Sequence, residues 1–338
     1  MVRGDGGVRY PLGVHPARLI PALACVVALA ACSSPAAGPT PSASATSASP
    51  SATPTPSATV PVSDSLAAIK VSGKRLKKPK ISFKAPFAID KTRVQVLEEG
   101  DGPEASADGY VLVHYQGVNG RSGDVFDSSF ERGPVPFPLN GVVPGFKLGL
   151  TGQREGSRVL IAMPGTDAYD PAGGRPDSGI NVGDTLVFVA DIIAVSLTEP
   201  SGKEVAAPAG SPTVSPGTGK PSVTIPSGNA PDKMTAHALI EGNGPKVAAD
   251  DIIVVRYVGY SWKTGQLIED RFDTTDEGQL SSTIPGWQTG LVGKRVGSRV
   301  LLVLPPKDGF PQGSNNPPVE AGDTVVYVVD LLFSYSAG

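Results

Sequence analysis

The chain repeats itself at an offset of about 141 residues. GLTGQREGSRVLIAMP at 149–164 aligns with GLVGKRVGSRVLLVLP at 290–305, identical at 10 of 16 positions. EGDGP (99–103) matches EGNGP (241–245), HYQG (114–117) matches RYVG (256–259), and GDTLVFVADII (183–193) matches GDTVVYVVDLL (322–332). Four colinear matches describe a duplicated unit of about 110 residues, too long for a solenoid repeat and right for a tandem domain. Whatever fold one copy adopts, the chain must build it twice.

Each copy reads as strands. Val111 to Tyr115, Arg158 to Met163 and Thr185 to Val195 are β-branched or aromatic runs bounded by Gly, Asp and Pro. Only the stretch Phe146 to Leu150, opened by Pro144-Gly145, suits a short helix. Composition agrees: with 41 Gly and 34 Pro in 338 residues an all-helical chain is excluded, since both residues are costly in helix interiors. A formal net charge of −3 lacks the basic excess of a nucleic-acid binder. Two Cys and three His are too few for a zinc or iron–sulfur centre, so no metal and no cofactor is expected.

The N-terminus reads as an export signal over 1–31. Arg3, Arg9 and Arg18 precede a 13-residue apolar run, Leu19 to Ala31, which suits a signal peptide and is short for a membrane span. The run ends in Leu29-Ala30-Ala31-Cys32, which resembles a bacterial lipobox, so Cys32 is expected to carry lipid and Cys25 to leave with the signal. Residues 33–63 hold 28 Ser, Thr, Pro or Ala out of 31 and no charge. Such a stretch cannot offset chain entropy by burial, so 32–63 is expected to be a lipidated, disordered tether. An extended lead-in follows at 64–84. Its basic run, KRLKKPK at 74–80, is read as a solvated strand edge or loop, with contact to anionic lipid or cell-wall polymer as the alternative. Residues 199–225, rich in Pro, Gly, Ser and Thr, are expected to link the copies at 85–198 and 226–338.

The first copy resembles the FKBP-type peptidyl-prolyl cis-trans isomerases across about 85–197. VHYQG (113–117), VFDSSFERG (125–133), VVPGFKLGL (142–150), RVLIAMP (158–164), DAYD (167–170) and DTLVFVADII (184–193) stand in that family's order. The resemblance implies an α+β fold in each copy: a bent antiparallel half-barrel sheet wrapped around one short helix. It implies a catalytic pocket with Phe146 as floor, Tyr115, Phe126 and Phe188 as aromatic walls, Asp127 as the pocket carboxylate and Tyr169 as a hydroxyl donor to substrate. Arg132 would orient Asp127, while Val142, Val143 and Ile180 would contact residues flanking proline. Several positions depart from the family pattern. Phe146 replaces the usual Trp, Val135 stands where a rim Phe is common, and Asp170-Pro171 follows the pocket Tyr.

Isomerisation needs little from a protein. Amide resonance sets the rotational barrier at ~18–20 kcal/mol, so an apolar pocket that favours the twisted amide suffices without a nucleophile. The second copy keeps Tyr257 and Trp287 at the Tyr115 and Phe146 positions but has Ile268-Glu269 for Phe126-Asp127, Phe310 for Tyr169 and Tyr327 for Phe188, with no match for Arg132. Little activity is expected from it. The whole is read as an isomerase of proline-containing exported polypeptides, monomeric, sensitive to macrolide inhibitors and held at the outer face of the cell membrane. The alternative is a non-enzymatic chaperone or peptide-binding lipoprotein on the same fold.

Overall fold

A computed structural model describes residues 60–336. The export signal, Cys32 and nearly all of the tether lie outside the described residues. Residues 60–338 group as one compact unit that contains both copies.

In the first copy the sheet order is Arg93–Glu98, Arg158–Met163, Leu186–Val195, Tyr110–Asn119 and Val125–Ser128, with Val135–Pro138 also pairing to Tyr110–Asn119. All neighbours are antiparallel. The second copy repeats the order with Thr235–Gly242, Arg299–Leu304, Val325–Ser336, Asp251–Ser261 and Leu267–Gln279. The expected short helices are Pro144–Leu150 and Pro285–Leu291, each with Pro at its first position, where the missing N–H costs nothing. They press closely on the sheet because glycines recur four residues apart, on one helix face. A Cβ on Gly149 would come within 2.4 Å of Ile161 Cδ1, and one on Gly286 within 2.4 Å of Leu304 Cδ2.

Both faces of each sheet are covered. Arg158–Met163 is buried at all six positions: Val159, Ile161 and Met163 face the helix, while Leu160 and Ala162 join Leu66 and Ile69 of the lead-in and Phe87 and Ile89 just after it. The lead-in folds into a hairpin, Lys70–Ser72 against Lys80–Ser82, whose Val71 and Ile81 pack on the same cluster. It is therefore the outer cover of the first sheet. The linker reading of 199–225 needs the same correction. Gly202–Glu204 adds an edge strand to the second sheet. Thr213–Val214 pairs with Val223–Thr224, and Val214, Val223 and Ile225 cover the cluster around Leu301, Val303, Val326 and Val328. Ser- and Pro-rich composition hid this role, because a few apolar side chains suffice when the sheet supplies the rest of the surface.

A buried aspartate and its arginine partners tie down each cover, Arg158 on Asp191 in the first and both Arg299 and Arg256 on Asp330 in the second. Arg158 pairs with Asp191 at 2.6 Å and donates to the carbonyls of Gly73 (2.7 Å) and Lys77 (3.0 Å), and Asp191 accepts the Leu76 amide at 2.7 Å. Arg299 pairs with Asp330 at 2.7 Å and donates to the carbonyls of Gly217 (2.7 Å), Thr218 and Gly219 (both 2.9 Å). Charges this deep persist only when paired and hydrogen-bonded.

Candidate active site

The site begins with a cross-strand row. Phe188, Gly117 and Asp127 are register partners on three adjacent strands. Beside them the pairing of Tyr110–Asn119 with Val125–Ser128 slips between Gly117 and Val118, leaving Phe126 as the extra residue. A bulge re-aims side chains. Phe126 and Asp127 would otherwise point to opposite faces, yet Phe126 packs on the helix-side cluster and Asp127 meets the Tyr115 hydroxyl there. Gly117 makes room: a Cβ there would lie 2.5 Å from Phe126 Cζ and 2.8 Å from Phe188 Cε1.

The rings meet edge to face. Phe126–Phe188 centroids are 5.5 Å apart at 88°, Phe146–Phe188 5.2 Å at 62°, and Tyr115–Phe146 6.3 Å at 73°. Tyr115, Phe126, Phe146 and Phe188 are thus brought together as expected. Phe137, which the sequence reading passed over, belongs with them, 5.5 Å from Phe146 at 78° and 5.7 Å from Tyr115. The expectation of a less aromatic rim at Val135 is corrected by its neighbour two places on. The alternation of Val135, Phe137 and Leu139 could have signalled it.

Tyr115 Oη donates to Asp127 Oδ2 at 2.5 Å, while Asp127 Oδ1 accepts from Arg132 Nη2 at 2.5 Å and from the Ser128 amide at 2.8 Å. Burial, then the Asp127 carboxylate, push the Tyr115 hydroxyl well above the ordinary phenol value, so it stays protonated and donates. The Asp127 side chain is 41% exposed, at the mouth rather than the floor.

Tyr169 is half-buried against the same cluster, and its hydroxyl accepts from Arg175 Nη1 at 3.4 Å. Val142 and Val143 are likewise half-buried beside the helix entry. Ile180 is 2% exposed, belongs to the same cluster as Tyr115, Phe146 and Phe188, and pairs its backbone with Arg175. Asp170 has a role in the loop as well. Its carboxylate lies over Gly165 and accepts the Gly183 amide at 2.8 Å, closing the two ends of the segment. His114 faces away, stacked on Phe130 at 4.8 Å. Among the described residues no group of three His, Cys, Asp or Glu could hold a metal ion.

The second copy fills its own pocket. Trp287 lies edge-on to Tyr257 (4.9 Å) and Tyr327 (5.5 Å), and Phe310 and Ile284 are buried where Tyr169 and Val143 are half-open. Glu269 accepts from Tyr257 at 3.1 Å and Tyr327 at 3.2 Å. Opposite Val255, where the first copy has Val135, stands Asp276, also within 3.3 Å of the Tyr257 hydroxyl. Gly278 takes the place of Phe137.

The sequence model of the FKBP-type peptidyl-prolyl cis-trans isomerases matches residues 102–193 and again 244–332. The chain belongs to that family. As an FKBP-type isomerase it acts on X–Pro peptide bonds, and both matched segments coincide with the folded copies. Relatives include a probable FK506-binding protein of Corynebacterium glutamicum, 39% identical over 121 residues, 35% of this chain and 99% of that protein. An FK506-binding protein of Streptomyces anulatus is 36% identical over 123 residues, 36% of this chain and 98% of that one. FkpA of Escherichia coli is 36% identical over 104 residues, which are 30% of this chain and 36% of FkpA. The FKBP chain thus contains about three times the length of its single-unit relatives.

Proposed function

We propose that isomerisation is carried by the first copy, that the second is a closed domain with little turnover, and that the mature chain works outside the cell. In that reading it is lipid-anchored through Cys32 at the outer face of the membrane, acts as a monomer on proline-containing exported polypeptides, and accepts macrolide inhibitors in the first pocket. The carrying observation is the contrast between the two hydroxyl–carboxylate pairs. Asp127, 41% exposed, is held by the exposed Arg132, whereas Glu269 accepts from two tyrosines, Tyr257 and Tyr327, that are 4% and 1% exposed.

The chemistry follows from the pocket. A proline ring would sit on Phe146 between Phe126, Phe188 and Tyr115, stripping water from the preceding carbonyl. A dry, preorganised site favours the twisted amide, whose charge distribution differs from the planar one. Asp127, fixed through both oxygens, would act electrostatically on the rotating bond, and the Tyr169 hydroxyl would donate to a substrate carbonyl.

The test uses the whole chain and a tetrapeptide X–Pro substrate. Asp127→Val should lower kcat/KM at least tenfold, about 1.4 kcal/mol of barrier, and Tyr169→Phe should lower it less. Glu269→Gln should leave the rate unchanged. Full activity in both first-copy variants, or a loss in Glu269→Gln as large as in Asp127→Val, would overturn the assignment to the first pocket.

A further inference from the structure

The duplication supplies an internal control for what each cover is for. Both covers do the same structural work, laying apolar side chains on the outer face of a sheet under carbonyls held by a buried Arg–Asp pair. Their electrostatics differ entirely. Between Ser65 and Ile89 the first cover carries seven cations, Lys70, Lys74, Arg75, Lys77, Lys78, Lys80 and Lys84, and no carboxylate. Between Ala206 and Ala230 the second carries one, Lys220, and that one is paired with Asp270 at 2.5 Å. Packing therefore does not require the charge.

The charge is also displayed rather than neutralised. In the hairpin, Val71 and Ile81 point inward, so strand alternation turns Lys70 and Lys80 outward. Phe83 packs inward next to exposed Lys84. Lys74 and Lys77 stand exposed on a turn whose backbone is pinned by Arg158 and Asp191. Among the described residues only Lys78 of the seven has a carboxylate partner, Glu131 at 2.6 Å. With seven positive charges here and a formal net charge of −3, the rest of the chain carries −10. Such an imbalance is a local electrostatic feature, set on a hairpin whose backbone is already paired and pinned.

We propose that this hairpin is a docking surface for the anionic headgroups of a lipid bilayer. It stands where the described chain begins, directly after the 33–63 segment. The choice of bilayer over other polyanions rests on the reading of Cys32 as a lipid anchor. A lipid on Cys32 would keep the chain at a bilayer, and a cluster of Lys and Arg near a membrane surface is drawn to its anionic lipids. Docked, it would press the first copy's outer face to the surface. The helix-side pocket, on the opposite face of the same sheet, would remain turned to solvent.

The chain from Ser33 onward, without lipid, should be mixed with vesicles of equal phosphatidylglycerol and phosphatidylcholine and with vesicles of phosphatidylcholine alone, at about 0.1 M salt. The wild type should sediment with the anionic vesicles only and be released by high salt. Replacing Lys74, Lys77, Lys80 and Lys84 together with Gln should weaken partitioning at least tenfold with isomerase rate and melting temperature unchanged. Replacing four exposed lysines of the second copy, Lys203, Lys233, Lys246 and Lys307, with Gln changes net charge equally and should have little effect. Absence of anionic-vesicle binding by the wild type, or equal weakening in both quadruple variants, would overturn the proposal. So would capture by soluble polyphosphate without capture by vesicles, which would point to a phosphate polymer instead. Should the first quadruple variant fold poorly, Lys74→Gln with Lys84→Gln, both outside the hairpin strands, carries the comparison. Since no lipid is attached, failure here leaves the Cys32 anchor standing, and failure of the anchor in cells would remove the argument for a bilayer without altering what the vesicles read.

Discussion

Asp127 and Glu269 sit opposite equivalent glycines, Gly117 and Gly259, and differ by one methylene. The longer Glu269 side chain accepts from two tyrosine hydroxyls, while Asp127 accepts from one and from Arg132. Burial raises the Glu269 pKa above the ordinary glutamate value, against the lowering effect of the Tyr257 and Tyr327 hydrogen bonds and of Arg271, with Asp276 adding to the rise. The folded state then holds a proton that the unfolded chain has released, so in the window above the ordinary value stability falls as pH rises. Glu269→Gln removes that dependence. Its melting temperature should exceed the wild type's at pH 7, and the gap should close as pH falls to about 4, where both side chains are neutral. A gap that stays constant from pH 4 to 7, or a wild type more stable at pH 7, would show the carboxylate to be ionised and well solvated.

At the scale of elements, the strands were legible and the covers were not. Continuous apolar runs such as Arg158–Met163 and Arg299–Leu304 signal burial, yet a run with both faces buried says nothing about what lies on the second face. The covers hold it, and each depends on one buried aspartate, Asp191 or Asp330. Asp191→Ala would strand the Arg158 guanidinium, 3% exposed, without its carboxylate and free the Leu76 amide. Breaking such a pair costs about 3–5 kcal/mol. Urea unfolding should register that loss, and trypsin should cut sooner within 74–80 than in the wild type. Asp330→Ala should destabilise the second copy likewise and open 213–224 to elastase, which cuts after Val214 and Val223, since Lys220 precedes Pro221 and resists trypsin. A stability change under about 1 kcal/mol with unaltered cleavage would mean that apolar packing alone holds the cover.

At the scale of the molecule, the two copies touch. The Leu197 amide donates to the Leu332 carbonyl at 2.9 Å, and the Ser201 amide to the Gly297 carbonyl at 2.9 Å. Tyr110 and Tyr335 both donate to the Glu277 carboxylate, and Tyr110 packs on Phe333 with centroids 6.3 Å apart. Burial, then Glu277, push the Tyr110 hydroxyl up to about 12. Residues 197–204 therefore connect by pairing rather than by reach. At the other end the sequence carries Leu29-Ala30-Ala31-Cys32 ahead of the 31 residues from Ser33 to Ser63. Cys32→Ala tests what that segment holds. In a bacterial host the wild type should fractionate with membranes, and the variant should appear in the soluble or secreted fraction. A wild type found wholly in the medium would overturn the anchor.

From the sequence alone came everything written in local order: the duplication, the strand runs, the Pro-Gly helix entries, and the succession Tyr115, Asp127, Phe146, Tyr169 that carries the family. Those signals survive because each sits in a short motif with its own spacing. Three features needed the tertiary structure. Phe137 reaches the pocket only through its register with Val111. In the second copy Asp276 and Glu269 converge on the Tyr257 hydroxyl from opposite ends of the strand Leu267–Gln279. The lead-in and the segment between the copies become walls because Arg158 and Arg299 each bind carbonyls more than 80 residues away. Composition and periodicity describe what a segment can bury by itself; these contacts are made by surfaces that exist only once the sheet has formed.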